Sequence, residues 1–371
     1  MKLDNNQQAF FDLIRAGLWE KDACLLQYGK VDCEEVFRIA DEQSVIGLVT
    51  AGIEHVQDVK IPQEIVLQFI GTSLQLEQQN KALNDFIVWL IETLRKEDVY
   101  TLLVKGQGIA QCYERPLWRA SGDVDLLLSD DNYKKAKKIL IPLAEDVERE
   151  FKSFKHIGMT MKGDFVVELH GTLHSRLSKK VDRVVDAVQN DVFCGGKARS
   201  WMNGQTQVFL PAPDNDVIFV FTHIIHHFYL EGIGLRQICD WCRLLWTYKE
   251  TLDCGLLESR IREAGLMSEW CSFAALAVDW LGMPSDAMPL YSPERKWFRK
   301  AEKILAFVLE VGNFGHNRSQ AQTNNYVGRK TLSLWNKTKD FGRHTKMFPM
   351  DSLKFLFYFM REGLGNAVRG E

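Results

Sequence analysis

The chain is 371 residues long, enough for two or three domains with substantial shared cores. Its 46 Lys and Arg nearly balance its 49 Asp and Glu, and the net charge of −3 gives no global sign of nucleic-acid binding. Eight cysteines without a small disulfide framework fit a reducing compartment; with no signal-peptide pattern and no spanning run, a cytoplasmic location is expected.

Residues 6–97 read mainly as helix. NNQQAFFDLIRAGLW, CEEVFRIADEQSVIGLVTAGIEHV and the long run after Pro62, EIVLQFIGTSLQLEQQNKALNDFIVWLIETLRKE, repeat apolar residues at three- and four-residue intervals, the spacing of one packed helix face. Next, TLLVKGQGIA over 101–110 gives a short strand pattern, a Lys105-Gly106-Gln107-Gly108 turn and the start of a helix. Strand, glycine turn and helix let backbone N–H groups face a phosphate, and glycine at 106 and 108 permits positive φ and close ligand approach. The segment is neither GxxxxGK[ST] nor GxGxxG, and a plain tight turn would use the same residues.

The stretch LWRASGDVDLLL, residues 117–128, carries the most chemistry. It reads as a strand with two carboxylates at its entrance. Alternation puts Asp123 and Asp125 on one face with Cα atoms about 6.5 Å apart. Converging anions repel and lose hydration, and a divalent cation offsets both costs. Nearby, Lys105 and Arg119 are candidate partners for phosphate. Arg119 has the planar fork for it, but could equally fix the aspartates by a salt bridge, while Ser121 could donate to phosphate or cap a turn. Downstream, the lysine-rich NYKKAKKIL reads as a helix with one solvated face.

In MKGDFVVELHGTLH, residues 161–174, Lys162-Gly163-Asp164 forms a hairpin turn ahead of a strand, FVVELH. Glu168 and His170 share one face of it. A carboxylate in so apolar a run needs a cation, and its obvious use is as a third acid beside Asp123 and Asp125, holding metal or taking a hydroxyl proton. A half-exposed strand with an outward glutamate reads the same way. His170 could line an acceptor pocket or be a neutral, hydrogen-bonded histidine beside the sheet.

Residues 214–249 give two helices. The first is apolar, follows Pro213 and has Asp214 as its expected N-cap; His223 and His227 are i,i+4 neighbours on it. Past Gly232 and Gly234, Arg236 and Asp240 are again i,i+4. These four could line the substrate side of a cleft or form a polar network locking two buried helices. Cys239-x-x-Cys242 lacks a second cysteine pair and reads as two core thiols. Helical patterns return over 252–308. Residues 316–350 then lose periodicity, and Arg318, Arg329, Lys330, Lys337, Lys339, Arg343 and Lys346 outnumber Asp340 there. That stretch could meet an anionic acceptor or a membrane surface, or be a solvated loop or short helices. The final DSLKFLFYFMREGL is apolar enough to pack as a helix or touch a membrane peripherally, but too short to span one.

The glycine turn, Arg119-x-Ser121-Gly122-Asp123-Val124-Asp125 and the distant strand carboxylate resemble the polymerase beta-like nucleotidyltransferase superfamily. The closer resemblance is to a bacterial family of uncharacterised nucleotidyltransferases, through KG…R.SGD.DLL, ELH and the later H…H…G.GLRQ..D pattern of His223, His227 and Gly232 to Asp240. It extends over residues 1–310. The fold it implies is α+β: a helical domain over 1–97, a nucleotidyltransferase-like mixed-sheet core over 98–212, and a helical domain over 213–310. A basic, loop-rich segment ending in a helix follows over 311–371. In that superfamily the glycine turn holds a triphosphate and the strand aspartates bind metal. The resemblance therefore implies triphosphate contacts at Lys105, Gly106, Gln107, Gly108, Arg119 and Ser121. It implies Mg²⁺, or Mn²⁺ in its place, at Asp123, Asp125 and Glu168, and a substrate side at His170, His223, His227, Arg236 and Asp240. One departure is Gly106-Gln107 where the superfamily commonly has Gly-Ser, which exchanges a hydroxyl donor for a longer amide.

The expected activity is transfer of a nucleoside monophosphate from a triphosphate such as ATP to a hydroxyl of a small molecule, sugar or protein. Two alternatives stand beside it. A nucleic-acid end-modifying enzyme would need a basic groove with convergent aromatics, which the sequence does not display. A non-catalytic nucleotide-binding or sensing module is the reading that Gln107 favours. Base preference, acceptor and oligomeric state are not encoded in any motif.

Overall fold

The computed structural model describes residues 2–151, 155–315, 317 and 326–369. Four helices precede the first strand. In α1 (Asn5–Trp19) Asp4 and Gln7 close a capping box, a device that stabilises a helix by about 1 kcal/mol, and Phe10, Phe11, Ile14 and Leu18 make its buried face. It crosses α3 (Ile46–Glu54) backbone to backbone. A Cβ on Gly17 would lie 2.0 Å from the Leu48 carbonyl oxygen, and one on Gly52 equally close to that of Leu13. Then α4 (Gln63–Arg95) runs 33 residues, about 50 Å. Its first half packs Ile65 and Phe69 against α2 (Cys33–Glu42) and α3, while its second half presents Phe86, Ile87, Leu90 and Leu94 to the sheet.

The sheet is mixed and five-stranded: β1 (Leu102–Val104), β2 (Val124–Leu127), β3 (Ala144–Val147), β4 (His156–Met161) and β5 (Phe165–His170), in the order β1-β2-β5-β4-β3. Only the β2–β5 pair is parallel; the others are antiparallel. Strand alternation then sorts the side chains. Leu103, Val124, Leu126, Val167, Leu169, Ile157 and Met159 face one way, into a core completed by α4 and by α6 (Asp130–Leu140), the expected helix over NYKKAKKIL. The Phe86 and Phe165 rings stack there at 4.4 Å. Asp125, Glu168, His170 and His156 face the other way.

That second face is roofed by helices. After α7 (Lys179–Phe193) and a hairpin of β6 (Ala198–Asn203) and β7 (Thr206–Pro211) come α8 (Pro213–Leu230), α9 (Leu235–Thr247), α10 (Cys254–Ala264), α11 (Met267–Asp279) and α12 (Arg295–Val311). Their apolar faces share one core with α1–α3 and with Leu102, Val104 and Leu127 of the sheet. Asp214 is not the N-cap of α8. Pro213, with φ preset for a first turn, takes the first helical position after Ala212, and Asp214 accepts the Asp253 N–H instead. Cys239 and Cys242 are buried free thiols.

The stretch expected to be loop-rich holds a helix, α13 (Tyr326–Met347), ahead of α14 (Pro349–Arg369). Sparse apolar residues suffice for it, because Asp340, His344 and Met347 are buried while Lys339 and Arg343 both pair with Glu310 of α12. Arg318 and the side chains of Arg329 and Lys330 lie outside the described residues. Among the described residues, no helix is long and apolar enough to cross a membrane.

Candidate active site

The strand entering the site ends in strain. Lys105 has φ 59° and ψ −146°, a region nearly reserved for glycine that costs about 1–3 kcal/mol. The distortion aims its ammonium at Asp125 Oδ1, 2.8 Å away. Gly106, at φ 41°, then turns the chain into the short helix α5 (Gly106–Ala110) and lines the cleft. Gly108 serves packing instead, since a Cβ there would sit 2.8 Å from Leu210 Cδ2. The Gln107 side chain also turns away from the cleft. It is buried and donates to Asn80 Oδ1 at 2.8 Å, and Asn80 in turn donates to the carbonyls of Leu117 and Arg119. The departure at Gln107 thus ties the glycine turn to the segment that delivers the aspartates.

Asp125 and Glu168 are register partners across the parallel β2–β5 pair, so their side chains leave the sheet side by side. With Asp123, just ahead of β2, each offers an oxygen within 4.8 Å of the others. Their surroundings differ. Asp123 is exposed at the mouth, and the neighbouring Asp125 charge raises its carboxyl above the ordinary range. Asp125 is 2% exposed. Burial alone would raise its pKa, but Lys105 and His170, whose Nε2 lies 2.7 Å from Oδ1, outweigh that and hold it low. Glu168 is likewise carried far below the carboxylate range, against its burial, by His156 at 3.1 Å and His170 at 3.4 Å. For His170 burial lowers the pKa, but bonding to Asp125 and Glu168 raises it further than burial lowers it.

His156 was not among the expected residues. The hairpin contained the signal: counting back from the Lys162–Asp164 turn pairs Met161 with Phe165, Gly158 with Glu168 and His156 with His170.

The opposite wall comes from α8 and α9. Arg119 is committed there: Nε and Nη2 bond both oxygens of Asp240 at 3.0 and 2.6 Å, and Nη1 donates to Ser121 Oγ at 2.8 Å. The Tyr113 hydroxyl adds a fourth contact by donating to Asp240 Oδ1. Arg236 reaches the same carboxylate only at 3.8 Å. Two guanidinium groups therefore share one carboxylate, and both line the cleft, Arg119 tightly paired and Arg236 loosely held. Burial, then Arg119, lowers the Arg236 pKa. His223 and His227 line the same cavity of about 220 Å³, which holds Asp123, Asp125 and Glu168 at its other side. A second cavity of about 290 Å³ adjoins it across Lys105, Glu168, His223 and His227, and His156, His170 and His226 open onto that one.

The mixed sheet thus gathers three carboxylates at a helix-roofed cleft, and the family match sets the chain among the polymerase beta-like nucleotidyltransferases. The chain belongs to the family described as "Uncharacterised nucleotidyltransferase", whose model matches residues 29–282. No curated protein and no solved structure matches it.

Proposed function

We propose that this protein is a Mg²⁺-dependent nucleotidyltransferase that moves a nucleoside monophosphate from a triphosphate to a hydroxyl of a small molecule, sugar or protein. The observation that carries the reading is the convergence of Asp123, Asp125 and Glu168 across a cleft from the loosely paired Arg236. An all-oxygen donor set of this charge fits a hard dication, Mg²⁺ or Mn²⁺, held by those three residues. Bound there, the ion neutralises triphosphate charge and acidifies the acceptor hydroxyl. The chain's own groups do the rest. Arg236 takes up phosphate charge from the helix side, and the backbone at Gly106 approaches the phosphates where a side chain would not fit the turn. Glu168 accepts the acceptor proton, oriented by His156 and His170, while Lys105 fixes Asp125. Arg119 and Asp240 position this wall rather than touch phosphate.

One observation favours a second reading. Asp125 is already engaged by the Lys105 ammonium and by His170, an arrangement that suits a nucleotide-binding module without transfer. The deciding experiment supplies α-labelled ATP, GTP, CTP and UTP with Mg²⁺, an acceptor library and cell extract, and measures pyrophosphate release and label transfer. Transfer by wild type that falls about 10²–10⁴-fold in Glu168→Gln, with triphosphate binding kept, supports the transferase. Binding by wild type with no labelled product favours the module. Equal turnover by both proteins removes Glu168 from the mechanism.

A further inference from the structure

The last turn of α8 and its cap carry a second group of metal-ligating side chains, His226, His227 and Glu231, that the carboxylate site does not use. Each offers a donor atom within 4.8 Å of the others. His227 Nδ1 lies 2.8 Å from Glu231 Oε2, the i,i+4 geometry of a shared ligand face. His226 is prepared for coordination in a specific way. Its Nδ1 is bonded to the Ser175 carbonyl, which can only accept, so Nδ1 carries the proton and Nε2 presents a bare lone pair. Ser175 is itself fixed, its N–H and Oγ both donating to Asp182 Oδ1 at 3.0 and 3.2 Å. A backbone carbonyl that locks a histidine tautomer is the usual outer-shell support of a metal ligand.

We propose that His226, His227 and Glu231 form a transition-metal site of the Zn²⁺ class, separate from the carboxylate site. Two imidazoles and a carboxylate favour such an ion over Mg²⁺, which selects oxygen donors, and three protein ligands leave a coordination position open. All three residues line the cavity shared with Glu168, which Arg236 does not line. His223 stands beside them, its ring 4.3 Å from that of His227, and makes no hydrogen bond among the described residues. A rival trio in the same cavity, His156, Glu168 and His170, belongs to the carboxylate site, where His170 bonds Asp125 and His156 bonds Glu168. The site is independent of the nucleotidyl-transfer reading and stands or falls without it.

The test uses the full chain, stripped with a chelator and titrated with Zn²⁺ against a chromogenic competitor. Co²⁺ absorption reports the coordination geometry. Wild type is expected to bind one equivalent that excess Mg²⁺ does not displace. His226→Ala and Glu231→Gln should weaken it by about 100-fold or more, because even outer-shell partners are worth about 10–100-fold. Glu231 is half exposed, so its variant keeps the fold, which circular dichroism checks. His156→Ala and Asp123→Asn should retain the equivalent. No binding by wild type overturns the proposal. So does wild-type affinity in Glu231→Gln and His226→Ala, or a loss confined to His156→Ala, which would place the ion at Glu168.

Discussion

The two walls of the cleft hold charge in opposite ways. On the strands, Asp123, Asp125 and Glu168 crowd together and are answered by Lys105, His156 and His170. On the helices, Asp240 is saturated by Arg119 and Tyr113, and Arg236 is the surplus. Each wall therefore has closed members, whose bonds are complete within the protein, and one open member. All four line the cavity, but Asp125 and Arg119 are closed, whereas Asp123 and Arg236 have their charge least answered. A ligand with a cation at one end and phosphates along its length meets both open groups together.

Breaking the open member of the strand wall should have the largest effect. Asp123→Asn removes one of the three carboxylates proposed to hold the metal and leaves the Lys105–Asp125 pair untouched, so it is a cleaner probe than Asp125→Asn, which would also strand a buried ammonium. Calorimetry with Mg²⁺ and each of the four triphosphates should show binding lost in Asp123→Asn with an unchanged circular dichroism spectrum. Wild-type affinity in the variant would remove the carboxylates from triphosphate binding.

The helix wall makes a paired prediction that sharpens the contrast. Arg119→Ala breaks a buried pair and leaves Asp240 with only the Tyr113 hydroxyl and Arg236 at 3.8 Å, so it should cost about 3–5 kcal/mol of unfolding free energy in urea titration. Arg236→Ala should leave stability nearly unchanged, because Asp240 keeps its better partners. Its triphosphate affinity should instead fall by about 1.5–3 kcal/mol, the range for a hydrogen bond to a charged group, or roughly tenfold or more. If Arg236→Ala proves the destabilising change and Arg119→Ala the binding change, the open and closed roles are reversed.

How much of this could be read in the sequence depends on what periodicity carries. Alternation in DVDLLL and FVVELH placed Asp123 with Asp125 and Glu168 with His170 on single faces, and the i,i+4 spacings placed Arg236 with Asp240 and His223 with His227. Periodicity gives the face, not the neighbour. That β2 lies parallel to β5, bringing Asp125 beside Glu168, is a long-range pairing that no local pattern encodes. The partner of Arg119 is 121 residues away, so the residue looked equally suited to phosphate or to the aspartates. Gln107 looked like a weakened phosphate contact because only the folded chain puts Asn80 within its reach. Of α13 only the alternative of short helices was legible, because residues 336–347 bury few apolar side chains and leave little hydropathy signal.

The smallest effect separates the histidines of the two walls. His170 is raised above its ordinary pKa by Asp125 and Glu168 despite burial, whereas burial, then Lys105, carries His223 well below its own, and burial, then His227, lowers His226 to about 4. Linkage gives these opposite signs. The contribution of His170 is complete below the unfolded value near pH 6.5 and is lost as pH rises through its folded pKa. His223 and His226 are held neutral in the fold, so their contribution is present above pH 6.5 and is lost as pH falls toward their folded values. Asp125 and Glu168, both depressed, add stability above about pH 4 that is lost in acid. The wild-type profile is thus a sum in which the terms cancel in part, and the informative quantity is the difference between wild type and His170→Gln. Urea unfolding of the metal-free chain at steps between pH 5 and pH 9 should show wild type the more stable at the acid end, with the gap narrowing as pH rises. A gap that is constant across the range would mean that His170 stays neutral beside Asp125. A hydrogen bond, and not an ion pair, would then close that corner of the strand wall.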